Sequence, residues 1–229
     1  MEVEIVYPKD ARKDLLDQST LISKWIKRVN QQFVIKKIVI ESIDLFPGPR
    51  IGFIELTVDY LYLNHSYKER FVLSGKAVSI VLLAKVPENG LIYTLLVEQP
   101  RLGVGKLVKE FPAGMVDDSE DYKGVALKEL EEECGIVAEG DELVQIGDFL
   151  YSDPSSVDDS SVFFIYKRNM SLEELDGLNN RVKGDGYDEQ ITTHVIPLTD
   201  VPNTSSDLVT ISMAYQCIDM IKEGKITFE

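Results

Sequence analysis

The residues in this sequence that are best suited to chemistry are three clustered glutamates. Glu129, Glu132 and Glu133 stand at positions i, i+3 and i+4 of a predicted helix, so they lie close together on one face. Like charges at this spacing destabilise an isolated helix, which means that something must compensate for them. A hard divalent cation such as Mg²⁺ is the expected partner, because it takes oxygen ligands and tolerates bound water.

The helix that must position these glutamates is predicted over residues 121–134. A different face of this helix is apolar, since Ala126, Leu130 and Cys134 recur at intervals of four residues. Gly135 follows the last helical residue, where a left-handed backbone conformation favours glycine. The pattern therefore predicts a helix that packs through one stripe and presents its glutamates on another.

These residues belong to a longer pattern that resembles the Nudix box. Lys128 departs from it, because the family usually has arginine at this position. The resemblance implies a Nudix fold, which is an α+β or mixed α/β/α sandwich, here with a small N-terminal domain of one helix and several strands. The positions that match the box are Gly114, Glu120, Glu129, Leu130, Glu132, Glu133, Gly135 and Ile136.

Residues outside the box resemble the branch of ADP-ribose and ADP-sugar pyrophosphatases. This resemblance covers residues 97–101 and 112–114, while residues 19–33, 40–43 and 50–53 are similar to the amino-terminal part of plant ADP-sugar diphosphatases. It implies Mg²⁺-dependent hydrolysis of a small nucleotide sugar, of the ADP-ribose or ADP-glucose type, to AMP and a sugar phosphate. Mn²⁺ is the alternative metal.

The same resemblance implies roles for individual residues. Arg101 matches an arginine that contacts the substrate diphosphate, and its guanidinium is suited to bind two phosphate oxygens. Glu132 is also a candidate catalytic residue. Metal ions held by clustered carboxylates would polarise the phosphoryl groups and activate a water. The implied metal ligands are three side chains and one backbone carbonyl: Glu129, Glu132, Glu133 and Ala113.

The polar loop at 152–160 is the expected place of a catalytic base. Pro154 resembles a proline that marks ADP-ribose-type members, although serines follow it where glycines are usual. The family often has a glutamate in this loop as a base or further metal ligand. Asp158 and Asp159 are the nearest candidates here, and each is one methylene shorter. A second set of candidates precedes the last predicted strand: Asp188 and Glu189.

Two alternative functions stay open at this point. One is a Nudix-fold nucleotide-binding or sensing module without turnover, which Lys128 and the glycine-poor loop favour and the intact set of glutamates opposes. The other is hydrolysis of another nucleoside diphosphate, such as NADH. The sequence contains no convincing Ser-His or Cys-His pair, so a covalent nucleophile is not expected.

Composition excludes several other classes of protein. With 229 residues, 44% hydrophobic and 28% charged, the chain has the content of a soluble globular protein. A net charge of −15 argues against nucleic acid or an anionic membrane as the main partner. A cytoplasmic protein is expected, because no signal peptide or long apolar run is seen. Cys134 and Cys217 are predicted to be buried free thiols.

The first third of the chain is predicted to form a separate domain. Residues 1–75 would contain a helix and a β-meander after a loose arm at 1–18, and residues 76–229 would form the catalytic domain. So short a unit buries too little core to be stable by itself. Its predicted strands carry apolar residues at both odd and even positions, so both faces of the sheet are expected to need cover.

This first domain is also expected to take part in dimerisation. The resembled pyrophosphatases are dimers in which the region packs against the partner and helps to build its adenosine pocket, which implies a two-fold homodimer. Phe53 is the candidate for stacking on adenine, with Phe46 as the alternative, and Phe53 is also a candidate core residue.

Overall fold

The computed structural model describes residues 3–8, 12–46, 50–116, 120–183 and 190–228. The described residues form two compact units. The first unit comprises those within 1–76, 117–120 and 151–160, and the second comprises those within 77–116, 121–150 and 161–229. Glu120 and the segment at 151–160 therefore belong with the first unit, whereas a division at residue 75 assigns them to the catalytic domain.

The first unit is built on a four-stranded sheet. The strand order is β1-β2-β3-β4, with β1 parallel to β2 and the other neighbours antiparallel. The expected loose arm at 1–18 is wrong for its described residues, because Ile5 pairs with Ile38 and a helix follows. The elements are β1 (Glu4–Val6), α1 (Lys13–Gln18), α2 (Leu21–Val29), β2 (Val34–Phe46), β3 (Arg50–Tyr62) and β4 (His65–Leu73).

The core of this unit lies on one face of β2 and β3. A shift of register between Ile35 and Lys37 inserts a bulge, so that Ile35 and Ile38, three residues apart, are both buried. Trp25 of α2 joins them and packs against the ring of Phe71 with the centroids 5.4 Å apart. The sheet thus has its own apolar cluster, which two helices help to complete.

The second unit is built on a larger mixed sheet. The strand order is β11-β12-β6-β5-β10-β9, and β7 pairs with β6 while β8 pairs with β5. Its strands are β5 (Lys76–Lys85), β6 (Ile92–Arg101), β7 (Lys106–Glu110), β8 (Ala113–Met115), β9 (Leu143–Tyr151), β10 (Ser160–Asn169), β11 (Val182–Lys183) and β12 (Ile191–Pro197). Its helices are α3 (Tyr122–Cys134), α4 (Leu172–Asp176), α5 (Val201–Thr204) and α6 (Leu208–Lys222).

Helices cover both faces of this sheet, which explains the nearly continuous apolar run of β5. Ile80 and Leu82 belong to the cluster that contains the apolar stripe of α3. Val81 and Leu83 point the other way, into the cluster that contains residues of α6. The predicted mixed α/β/α sandwich is therefore confirmed.

Both cysteines lie in these clusters. Cys134 and Cys217 are buried free thiols, as predicted. Burial raises the pKa of both thiols, that of Cys217 to about 12, so neither is a ready nucleophile at neutral pH. No helix within the described ranges is long and apolar enough to cross a membrane.

Candidate active site

Helix α3 begins and ends close to its predicted bounds. The side chain of Asp121 accepts a hydrogen bond of 2.9 Å from the backbone N–H three residues on, which caps the N-terminus. Gly135 ends the helix with a φ of 72°, a conformation that favours glycine. Because the stripe of Ala126, Leu130 and Cys134 is fully buried, packing fixes which face presents the glutamates.

Glu133 is the most buried of these glutamates, with 5% of its surface exposed. Its Oε2 accepts a hydrogen bond of 3.1 Å from the backbone N–H of Ala113. A buried carboxylate is costly unless it is hydrogen-bonded, so this contact ties α3 to strand β8. The predicted ligands Glu133 and Ala113 are thereby brought together.

Glu129 approaches the same strand one residue further on. A Cβ atom built on Gly114 would lie only 2.1 Å from Oε1 of Glu129, closer than real Cβ contacts ever come. Position 114 is therefore glycine because the carboxylate of Glu129 lies directly against its Cα. Two carboxylates of α3 thus converge on the Ala113–Gly114 backbone.

Glu132 is directed elsewhere. Its Oε2 lies 3.2 Å from Nζ of Lys128, one helical turn earlier, and both side chains are more than half exposed. Exposed pairs of this kind contribute little to stability, so the contact is easily exchanged. Lys128, the departure from the box pattern, is thus paired with a predicted catalytic residue.

The donor set fits a hard divalent cation. Carboxylate and carbonyl oxygens are the ligands that Mg²⁺ and Mn²⁺ prefer, and the glycine at 114 lets the carboxylate of Glu129 lie against this backbone. Among the described residues, no three acidic, histidine or cysteine side chains are close enough to hold an ion together. Metal binding therefore stays a prediction, and it requires Glu132 to leave Lys128 for the cation.

Arg101 lies at the end of β6 and is paired with an acidic residue. Its guanidinium forms a two-pronged pair with Glu110, in which Nε donates to Oε1 at 2.9 Å and Nη2 donates to Oε2. Glu110 pairs with Val97 across the β6–β7 ladder, and Val97 packs in the cluster of Leu130. The sequence analysis did not single out Glu110, and the signal that could have indicated it is an opposite charge nine residues after Arg101.

Asp158, a candidate base, is held inside the first unit. Its Oδ1 accepts bonds from the backbone N–H groups of Ser74 at 2.8 Å and Gly75 at 3.2 Å. Its Oδ2 accepts a bond of 3.0 Å from Arg28 on α2, and the side chain is only 12% exposed. These contacts favour a structural role, because both oxygens are engaged in fixing the loop.

The backbone of this loop is bound in the same place. Val157 forms a parallel bridge with Val72 of β4, and the N–H of Asp158 donates to the carbonyl of Val72 at 3.0 Å. Asp159 accepts a bond of 3.0 Å from the hydroxyl of Ser152, and Pro154 is exposed. The catalytic role of Asp159 and the substrate contact of Pro154 stay predictions.

Two other predicted residues, Phe53 and Glu120, belong to the first unit. Phe53 is half-buried in the first unit and packs edge-on against Phe46 at 5.4 Å, so its stacking on adenine stays a prediction. Glu120, the first glutamate of the box, has a φ of 57° and an ion pair of 3.3 Å with Lys24. Glu189 falls outside the described residues.

The chain is similar to several known proteins. A family model described as the NUDIX domain matches residues 74–207, which is more than half of the chain. The chain is 27% identical over 213 residues to "Nudix hydrolase 14, chloroplastic" of Arabidopsis thaliana, covering 85% of this chain and 68% of that protein.

Two further similarities support less: the first covers a smaller share of this chain, and the second has a lower sequence identity. "Putative nudix hydrolase 2" of Caenorhabditis elegans is 33% identical over 93 residues, which is 41% of each chain. A solved structure described as "Crystal structure of ADP compounds hydrolase" superposes with a TM-score of 0.53 at 18% identity, over 84% of this chain and 98% of that one. At that identity the likeness concerns the fold.

Proposed function

Because this protein is a member of the Nudix hydrolase family, we propose that it hydrolyses the diphosphate bond of an ADP-sugar to AMP and a sugar phosphate. The observation that carries the proposal is the convergence of Glu129 and Glu133 on the Ala113–Gly114 backbone. The superposed protein shares the fold and is described as a hydrolase of ADP compounds, which supports a substrate that contains ADP.

The residues of α3 have distinct parts in this reaction. Glu129, Glu133 and the carbonyl of Ala113 would hold Mg²⁺, with Glu132 completing the set. When bound, the cation supplies charge neutralisation and a water of lowered pKa. Glu133 is already positioned to bind the cation, because the hydrogen bond from the N–H of Ala113 fixes one of its carboxylate oxygens beside β8.

Arg101 and Glu132 would handle the substrate and the proton. Arg101 offers its guanidinium to the diphosphate, which an acidic protein of net charge −15 would otherwise repel. A water attacks one phosphorus, the bond from that phosphorus to the bridging oxygen breaks, and that oxygen leaves on the other phosphate. Glu132, exposed at the surface of α3, accepts the proton that the attacking water loses.

The test is an assay of AMP release by the full chain. ADP-ribose, ADP-glucose and NADH are each incubated with Mg²⁺, with Mn²⁺ or with a chelator, and the nucleotides are separated by chromatography. We expect metal-dependent release of AMP and a sugar phosphate from an ADP-sugar. A matched control is Glu131→Gln, an exposed glutamate of the same helix, which should behave as the wild type.

A nucleotide-binding module without turnover is the second candidate function. The ion pair between Lys128 and Glu132 favours it, because the pair occupies the carboxylate proposed to accept the proton. Binding of ADP-ribose without AMP release under any metal condition would establish this function in place of hydrolysis. Release from NADH alone would keep the chemistry and change the substrate.

We also propose that the protein is a two-fold homodimer formed through the first unit. Exposed apolar side chains cluster where β3 meets β4: Tyr62 and Tyr67 are each 44% exposed and Leu63 is 75% exposed. Such a patch is typical of an interaction surface. Light scattering should give twice the monomer mass of 25.8 kDa. A monomer with full activity would contradict the proposal.

A further inference from the structure

We infer that Glu110 is a positioning residue, which holds the guanidinium of Arg101 in the orientation that binds the substrate diphosphate. The inference rests on the proposed function, since it assigns a role within that site. It depends on the pairing of Arg101 with Glu110, on the unequal exposure of the two side chains and on the place of Glu110 in the chain.

The pairing fixes the plane of the guanidinium. Nε and Nη2 of Arg101 donate to the two carboxylate oxygens of Glu110, with the first bond at 2.9 Å. Two parallel hydrogen bonds define an orientation, whereas a single contact to a lysine would not. The carboxylate engages two of the five N–H donors of the arginine.

The exposed fractions of the two side chains show which residue holds the other in place. Glu110 has only 17% of its side chain exposed, while Arg101 has 47% exposed. The carboxylate is therefore embedded in the hairpin, and the guanidinium is the group that reaches solvent and any ligand. An arginine held in this way loses less side-chain freedom when it binds a phosphate.

The strand pairing explains how the sequence achieves this. Residues that oppose each other in an antiparallel ladder project from the same face of the sheet, and so do residues an even number of positions apart on one strand. Glu110 opposes Val97, which is four residues before Arg101 on β6, so Glu110 and Arg101 lie on one face. Glu110 stands at the end of β7, three residues before Ala113, whose N–H binds Glu133. One short segment thus contacts both the arginine and a predicted metal ligand.

The experiment is a double-mutant cycle on the full chain with the ADP-sugar that the wild type hydrolyses. Arg101→Ala should raise KM about 10- to 100-fold, the range for losing a charged hydrogen bond. Glu110→Ala should raise KM about tenfold and change kcat less than about threefold. In the Arg101→Ala background, Glu110→Ala should have no further effect, because the residue acts through the arginine.

A matched pair elsewhere provides the control. Arg70 and Glu55 form an ion pair between β3 and β4 of the first unit, with Nε donating to Oε1 at 2.9 Å. Glu55→Ala removes the same chemistry and should leave KM unchanged. Glu110→Gln keeps one acceptor oxygen and should rescue part of the affinity. Thermal melting of each variant separates a loss of folded protein from a loss of affinity.

The outcomes distinguish this inference from the proposed function. A lower KM in Glu110→Ala would show that Glu110 competes with the substrate, and an additive loss in the double mutant would show that it acts without Arg101. Either result overturns the inference while hydrolysis stands. If the wild type hydrolyses no nucleotide, the same cycle is measured as the Kd of ADP by calorimetry, where equal values for the wild type and Glu110→Ala overturn the inference.

Discussion

Two carboxylates of this protein, Glu133 and Asp158, make the same kind of contact in different surroundings. In the second unit, Glu133 is bonded to the backbone of Ala113, and another carboxylate, that of Glu129, lies against the next residue. In the first unit, Asp158 is bonded to two backbone N–H groups and also to the guanidinium of Arg28.

The two carboxylates differ in one described neighbour: Asp158 has the guanidinium of Arg28 beside it, whereas Glu133 shares its stretch of backbone with the carboxylate of Glu129. An aspartate that meets an arginine is neutralised by the protein, so it can stabilise a loop without a ligand. Glu129 and Glu133 approach one stretch of backbone, and carboxylates that lie close together disfavour each other's ionised form, which a bound cation favours. A carboxylate that meets a guanidinium is thus suited to holding a loop, whereas two carboxylates beside one stretch of backbone are suited to binding a cation.

Removing the charge of the α3 glutamates should give the largest effect. We expect Glu132→Gln and Glu133→Gln each to lower kcat by about 10² or more, as for other acid–base or metal-linked groups. The fold should persist, because an amide oxygen at 133 can still accept the bond from Ala113. Near-normal turnover of both variants, measured beside Glu131→Gln, would remove these residues from the mechanism.

Moving one glutamate without removing it should have a smaller effect. In Gly114→Ala the new methyl group would meet Oε1 of Glu129, built at 2.1 Å, and displace the carboxylate. We expect kcat to fall about tenfold, the scale of one weakened catalytic contact. Gly140→Ala is the control, since its nearest side-chain atom would lie at an ordinary 3.6 Å. Equal kcat values for both variants would contradict the close approach.

Asp158 should behave in the opposite way. Asp158→Ala leaves Arg28 and two backbone N–H groups without this acceptor, so unfolding in urea should show a loss of about 2 kcal/mol. The losses in the free energy of unfolding caused by Asp158→Ala and Arg28→Met should be non-additive in a double-mutant cycle, because the two residues are in contact. Turnover per folded molecule should change less than about threefold. A fall of about 10² in kcat with unchanged stability would instead make Asp158 the base.

Lys128 should give the smallest effect. Its exposed pair with Glu132 must open before Glu132 can bind the cation, so Lys128→Ala should lower the Mg²⁺ concentration for half activity by about two- to fivefold. Lys128→Arg should have equal or higher activity, because arginine is the usual residue of the Nudix box at this position. Titration with Mg²⁺ beside Lys123→Ala, an exposed lysine of the same helix, measures this. An unchanged Mg²⁺ dependence in Lys128→Ala would mean that Lys128 is only solvated.

Sequence alone was sufficient to predict the local elements of the site and the family. Helix α3 could be predicted because its signals are short-range: a stripe at intervals of four residues, an aspartate cap at 121 and a glycine at 135. The nearly continuous apolar run of β5 is typical of a strand buried on both faces, and the fixed spacing of the box identified the Nudix fold that the comparisons confirm.

The partners of the charged residues, in contrast, could be found only in the folded chain. Arg28 and Asp158 are 130 positions apart, and no periodicity in a sequence links residues at that separation. Three other contacts also depend on the folded chain: the parallel pairing of β1 with β2, the bridge of the loop at 152–160 to β4, and the ion pair of Arg101 with Glu110. Local patterns follow from backbone geometry over a few residues, whereas these contacts depend on which surfaces meet once the chain has folded.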